Sequence, residues 1–217
     1  RQFRLFTQLI YKVLLFIANF SNISKINNNL GIYFLVPISI VFLWIIYSIS
    51  GSFEGGADSI SHFFISRYSF ENPYLFLDHW GKPTFTFFSS IFSQFGFEGL
   101  VFYNILLATH TAFIGVLLGK HLQIKYSFLI YPFILFTPIF LRVSISGLTE
   151  ITFAFLLVLS VYLFLKTKFW LGASVFSLCF FARTESIFIA HIFISKKKKK
   201  KEYLTSLWFF WSIIFMT

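Results

Sequence analysis

The chain has 217 residues, 57% of them hydrophobic and 12% charged, with a formal net charge of +10 and a mean hydropathy of +0.78. Soluble domains carry roughly 25% charged residues, so this composition excludes a water-soluble globule and indicates an all-α, polytopic membrane protein. The basic excess reports topology before it reports nucleic acid. Cytoplasmic loops accumulate Lys and Arg, and no basic–aromatic groove motif accompanies the charge, so no nucleic-acid partner is expected. A single cysteine, Cys179, excludes an intramolecular disulfide and a cysteine-based metal cluster. The 35 Phe and the KKKKKK run are residues with A/T-rich codons, so Phe abundance carries no functional weight.

In chain order, residues 1–20 place Arg1, Arg4, Gln8 and Lys12 along one stripe of an otherwise apolar helix. Residues 1–30 therefore read as a cytoplasmic, interfacial amphipathic segment with its basic side toward anionic headgroups. A transmembrane domain is expected over 31–217, its first clear span at 32–49. The polar loop 51–98 follows, with glycines, Pro73 and Pro83. Within it, residues 84–95 put Phe85, Phe88, Phe92 and Phe95 on one face with Ser and Gln opposite. That pattern predicts a helix lying on the membrane.

Four further apolar segments are expected at about 100–119, 126–141, 149–165 and 169–194. The last is too long for one straight span and is interrupted by ARTES. Two short helices turning at Arg183 and Glu185 return KKKKKK (196–201) to the cytoplasm, as the positive-inside rule requires. This topology leaves only Arg67, Lys82, Arg142 and Arg183 as outer cations. Carboxylates sort the opposite way: Glu54, Asp58, Glu71, Asp78, Glu98, Glu150 and Glu185 lie outside, and Glu202 inside. Asp and Glu contribute little to orientation, so their sorting is an independent observation. The chain begins at Arg1 and ends at Thr217 within the apolar run from Tyr203 to Met216. It reads as the N-terminal part of a longer protein.

Two outer stretches, GGADSISH (55–62) and DHWGKP (78–83), concentrate the chemistry-capable groups. Asp58 follows closely on the first span, and on a helix His62 shares its face at i+4. Trp80 suits an interface anchor, and Pro83 fixes the backbone where a helix begins. A carboxylate at membrane depth can take a proton from a hydroxyl nucleophile. Lys82, Arg142 and Arg183 can hold a phosphate, Lys as a point charge and Arg through its fork. Such a set suits a lipid-phosphate substrate.

GAD, HWGKP, FSSIFSQFG, SGLTE and FARTES, taken in that order, resemble the multi-pass GT-C glycosyltransferases over about residues 32–195. The nearest likeness is to the dolichyl-phosphate-mannose protein mannosyltransferase superfamily and its bacterial relatives. The resemblance implies a transmembrane helix bundle whose outer loop carries interfacial helices. It also implies inverting sugar transfer from a polyprenyl-phosphate donor to a hydroxyl of a glycan, lipid or protein on the outer face of a bacterial inner membrane. By position Asp58 matches the family's catalytic base. Relatives often show Asp-Glu there; Asp58 precedes Ser59, so the second acid is either absent or supplied from elsewhere, with Asp78 the candidate. HWGKP occupies a His-Pro element, with Trp80 and Gly81 inserted before Lys82. The substrate-binding candidates are His62, Asp78, His79, Lys82, Arg142, Glu150, Arg183 and Glu185.

Blander readings stand beside these. Asp78 can cap a turn. Arg183–Glu185 or Arg142–Glu150 can be structural pairs. His110 and His191 sit in apolar helices as packing histidines. No cofactor is expected; the lesser alternative is a divalent cation such as Zn or Mn on His62, His79, Asp58 and Asp78. The rival function is a transporter or polysaccharide flippase, which predicts ionisable or broken sites near the bilayer midplane.

Overall fold

A computed structural model describes residues 30–50 and 55–189. The interfacial stripe at 1–20, Glu54, His191 and the lysine run fall outside the described residues. Eight helices are bounded within the described residues: α1 (Leu30–Ser50), α2 (Gly56–Tyr68), α3 (Pro83–Ser93), α4 (Phe97–His121), α5 (Ile130–Leu135), α6 (Pro138–Ser144), α7 (Glu150–Leu165) and α8 (Phe169–Ala182), and helix resumes at 186–189. Single 3-10 turns interrupt the loops at Pro73–Leu77 and Ser127–Leu129.

α4 is the axis. It packs against α1, α3, α5 and α7, and α7 in turn pairs with α8. Its small residues explain why neighbours approach closely. Ala108 and Ala112 are fully buried. A Cβ on Gly115 would stand 2.7 Å from Ile134 Cδ1, and one on Gly119 would stand 2.4 Å from Ile130 Cδ1. In apolar surroundings, where burial from water does not drive helices together, such small-residue stripes set the packing. Leu43 and Ile46 of α1 meet Val101, Ile105 and Val116 of α4 in the main core, which extends to Tyr131, Leu135 and Leu141. A separate cluster joins Leu156 of α7 to Phe176, Cys179 and Ala182 of α8. Cys179 is thus a packing residue.

Two helices, α4 and Tyr33–Ser50 of α1, are long and apolar enough to cross a bilayer. The expected single segment at 126–141 is instead broken. Ser127–Leu135 and Pro138–Ser144 meet at 65°, and they count as a third span only if taken as one bent unit. The cause is local: Pro138 forces Thr137 out of the helical region, to φ −59° and ψ 122°. α7 and α8 are shorter apolar helices. The expected interruption at ARTES is present, because α8 ends where Arg183 turns extended. The described residues are therefore mostly helical, with two or three segments among them able to span a membrane.

α3 corrects one expectation about faces. Its hydroxyl side (Thr84, Thr86, Ser89, Ser90, Ser93) is buried together with Phe85, while Phe87, Phe88, Ile91 and Phe95 are exposed. Phe85 and Phe92 therefore part from Phe88 and Phe95: Phe85 packs inward with Leu100 and Tyr103, and the half-buried Phe92 joins them against the Tyr103 ring. Polar groups inside and phenyl rings outside invert the arrangement of a water-soluble helix.

Candidate functional site

The site is built on α2. Gly55, at φ 91°, starts the helix in a left-handed conformation open to glycine. Ser59, His62 and Ser66 then recur at i, i+3 and i+7 and form its buried side. Each has a task. Ser66 Oγ and Ser89 Oγ of α3 are 2.7 Å apart, which fixes the α2–α3 pairing. Arg67 adds to it by donating to the carbonyls of Ser93 (3.1 Å) and Gln94. Ser59 Oγ accepts a bond from Gly147 N at 3.1 Å. A Cβ at Gly147 would come within 2.9 Å of the Ser59 carbonyl, so the loop reaches α2 only because position 147 lacks a side chain.

Asn104 holds the same loop from the other side. This residue of α4 is fully buried and donates through Nδ2 to Ser146 O at 2.7 Å and Leu148 O at 2.9 Å. The SGLTE stretch is thereby clamped between α2 and α4, and it delivers Glu150 to the first turn of α7. A carboxylate there also complements the helix dipole. Glu150 Oε1 lies 2.6 Å from Arg183 Nη1. Arg183, just past α8, makes a second, two-pronged pair with Glu185: Nε to Oε2 at 3.2 Å and Nη2 to Oε1 at 2.9 Å. The hydrogen bonds from Arg183 pull the Glu185 carboxyl down to about 2. Glu185 and Glu150 in turn hold the guanidinium firmly protonated.

DHWGKP folds over the other side of His62. Asp78 Oδ1 accepts from Gly81 N at 2.8 Å, the turn-capping role. Thr86 Oγ1 donates to Gly81 O at 2.9 Å, and a Cβ on Gly81 would stand 2.5 Å from Ile65 Cγ2. The loop is thus pressed onto α2. Pro83 opens α3 as expected, and Thr84 ties α3 to α8 by donating to Leu178 O at 3.0 Å. Trp80 is 55% exposed; its ring lies near-parallel to the His62 imidazole, with centroids 6.4 Å apart. Phe85 meets the same imidazole edge-on at 5.7 Å.

His62 is therefore the centre of the arrangement. It is 7% exposed. Burial lowers its pKa, opposed by the charges of Asp58, Glu150 and Asp78 and assisted by Lys82. Of the surrounding charges Asp58, exposed on the first turn of α2, acts most strongly. Lys82 also bears on Glu185. Segments far apart in sequence thus bring Asp58, His62, Asp78, Lys82, Glu150, Arg183 and Glu185 into one electrostatic neighbourhood.

Two predicted members stand differently. His79 is exposed on the loop. Arg142 is exposed in the last turn of α6, and Arg183 is paired with Glu150. Arg183 already bonds two carboxylates, so its expected readiness for phosphate is reduced. Lys82 forms no ion pair among the described residues. It also carries a φ of 58°, an unfavourable value for a residue with a side chain. Four carboxylates (Asp58, Asp78, Glu150, Glu185) against two cations (Lys82, Arg183) leave the neighbourhood with a net charge of −2. Among the described residues no three His, Cys, Asp or Glu side chains are grouped to share a metal ion, including the set His62, His79, Asp58 and Asp78.

Ser59, Asn104 and Gly147 were missed from sequence. The first left a signal in the Ser59–His62–Ser66 spacing, and the second in being a lone amide within an apolar span. No family model, no curated protein and no solved structure matches this chain.

Proposed function

We propose that this chain is an integral-membrane glycosyltransferase that moves a sugar from a polyprenyl-phosphate donor to an acceptor hydroxyl. The observation that carries the reading is the gathering of Asp58, Asp78, Lys82 and Glu150 around one buried histidine, with Arg183 paired to Glu150, together with an outward-facing phenyl surface on α3 suited to lipid. Asp58 is exposed at the rim of that cluster, where a hydroxyl can approach it, and acts as general base. The hydroxyl oxygen attacks the anomeric carbon, the bond from that carbon to the phosphate oxygen breaks, and the lipid phosphate departs with the electron pair. Lys82, which forms no ion pair among the described residues, stabilises the charge that develops on the leaving phosphate. Arg183 instead fixes Glu150 and Glu185 in place.

A flippase is the second reading. The 65° break between α5 and α6 favours it, since transporters build their sites on interrupted helices. The charged cluster, however, is carried by α2, the 78–83 loop and the ends of α7 and α8, and not by the residues of the break.

Product analysis separates the two. Vesicles containing the intact protein are supplied with polyprenyl-phosphate sugars and a mixture of glycan and lipid acceptors. Release of free polyprenyl phosphate with a glycosylated acceptor supports the transferase. Movement of unaltered donor across the bilayer, without release, supports the flippase and rejects the transferase.

A further inference from the structure

Among the described residues four buried side-chain atoms have no hydrogen-bond partner, and two of them, His62 Nδ1 and Glu150 Oε2, belong to the charged neighbourhood; the others are Asn104 Oδ1 and Ser93 Oγ. An orphaned buried acceptor or donor costs more than an ordinary hydrogen bond returns, so such atoms mark places where something else bonds. Their surroundings leave little choice of partner within the protein. Trp80 and Phe85 cover the imidazole with apolar rings. Arg183 is committed to Glu150 Oε1, which leaves Oε2 as a free acceptor.

We propose that His62 Nδ1 and Glu150 Oε2 are the hydroxyl-reading atoms of the site and bind neighbouring hydroxyls of one sugar ring. This inference rests on the transferase reading and names the part of the donor or acceptor that the site recognises. A carboxylate oxygen only accepts, whereas a neutral imidazole offers one N–H and one lone pair. A hydroxyl both donates and accepts, so a polyol satisfies the two atoms together. A phosphate at neutral pH presents acceptor oxygens and negative charge; Glu150 and the net charge of −2 repel it. Sugar hydroxyls are thereby drawn to His62 and Glu150, and the lipid phosphate to the Lys82 ammonium. The exposed ring of Trp80 lies beside His62, where the C–H face of a sugar could rest.

The test uses the intact protein in lipid nanodiscs with 15N-labelled histidine. The probes are methyl glycosides of glucose, mannose and galactose, and inorganic phosphate. The inference predicts that at least one glycoside shifts the His62 Nδ1 resonance saturably and that phosphate does not. His62→Asn, whose side-chain amide nitrogen falls where Nδ1 stands, keeps glycoside affinity within about threefold. His62→Phe and Glu150→Gln each weaken it about tenfold, the loss of one good hydrogen bond. An Nδ1 signal that no glycoside moves, or that phosphate moves equally, overturns the inference; so does wild-type affinity in His62→Phe. Glycoside binding at His62 in a protein that releases no polyprenyl phosphate from any donor rejects the transferase reading alone. Undiminished transfer by His62→Phe rejects the hydroxyl-reading role alone.

Discussion

Lys82 illustrates how one residue can be kept against its own conformational preference. Its φ of 58° is unfavourable for any side chain beyond glycine. Lys82→Gly should therefore leave the unfolding midpoint unchanged or raise stability by up to about 1 kcal/mol, while lowering donor affinity. Thermal unfolding read beside donor binding checks both halves; a clear loss of stability contradicts the strain argument. His62 gives a pH signature. Its folded pKa lies below the ordinary value because burial disfavours the charged ring. Above about 6.5 it is neutral in both folded and unfolded chains. As pH falls below that value the unfolded chain takes up a proton that the folded one refuses. Stability falls until the folded pKa is passed and then levels off. His62→Asn removes this component, so the wild-type and variant midpoints should converge as pH drops from 8 toward 5. Glu185 acts lower on the scale: its pairing contributes above about 4.5 and is lost as pH approaches about 2.

At the scale of helices, the extent of the elements was legible in the sequence, and their facing was not. Apolar runs bounded by polar loops fixed α1, α4 and α7 closely, and ARTES marked the end of α8. α3 was expected to turn Phe85, Phe88, Phe92 and Phe95 together toward lipid. The hydroxyls of Ser66 and Ser89 instead bond each other at 2.7 Å and draw α3 onto α2. That rotation carries Phe85 into the core. Helical periodicity groups residues on a face, yet it cannot say which polar groups will find partners inside. The α5–α6 break had a signal, the Thr137–Pro138 pair, overlooked because the whole stretch is apolar. Ser66→Ala, which strands the Ser89 hydroxyl, should cost about 1–2 kcal/mol. The double change Ser66→Ala with Ser89→Ala should cost less than the two single changes summed. Strict additivity in that cycle would contradict the pairing. Phe88→Trp should be quenched by brominated lipid acyl chains, because position 88 faces outward; an unquenched tryptophan would contradict the lipid-facing surface.

Across the whole molecule, the site depends on long-range closure. Asn104 of α4 and Ser59 of α2 clamp the 146–148 loop, which sets Glu150 against Arg183. The individual candidates Asp58, His62, Lys82, Glu150 and Arg183 were visible as polar residues in an apolar chain. Their convergence was not visible, because it rests on close backbone approaches at Gly81 and Gly147 that only a folded structure reveals. Nor could spacing along the chain pair Arg183 with Glu150. Gly147→Ala should loosen this closure, with a Cβ 2.9 Å from the Ser59 carbonyl. It should reduce stability by about 1–3 kcal/mol.

The central claim is that Asp58 serves this assembled cluster as the base. It is tested most directly by the rate of polyprenyl-phosphate release by Asp58→Asn relative to wild type, at matched abundance in the same membranes. The account predicts a fall of at least about a hundredfold, the lower range for removing a general base, with glycoside binding at His62 retained. Release at the wild-type rate by Asp58→Asn would contradict it.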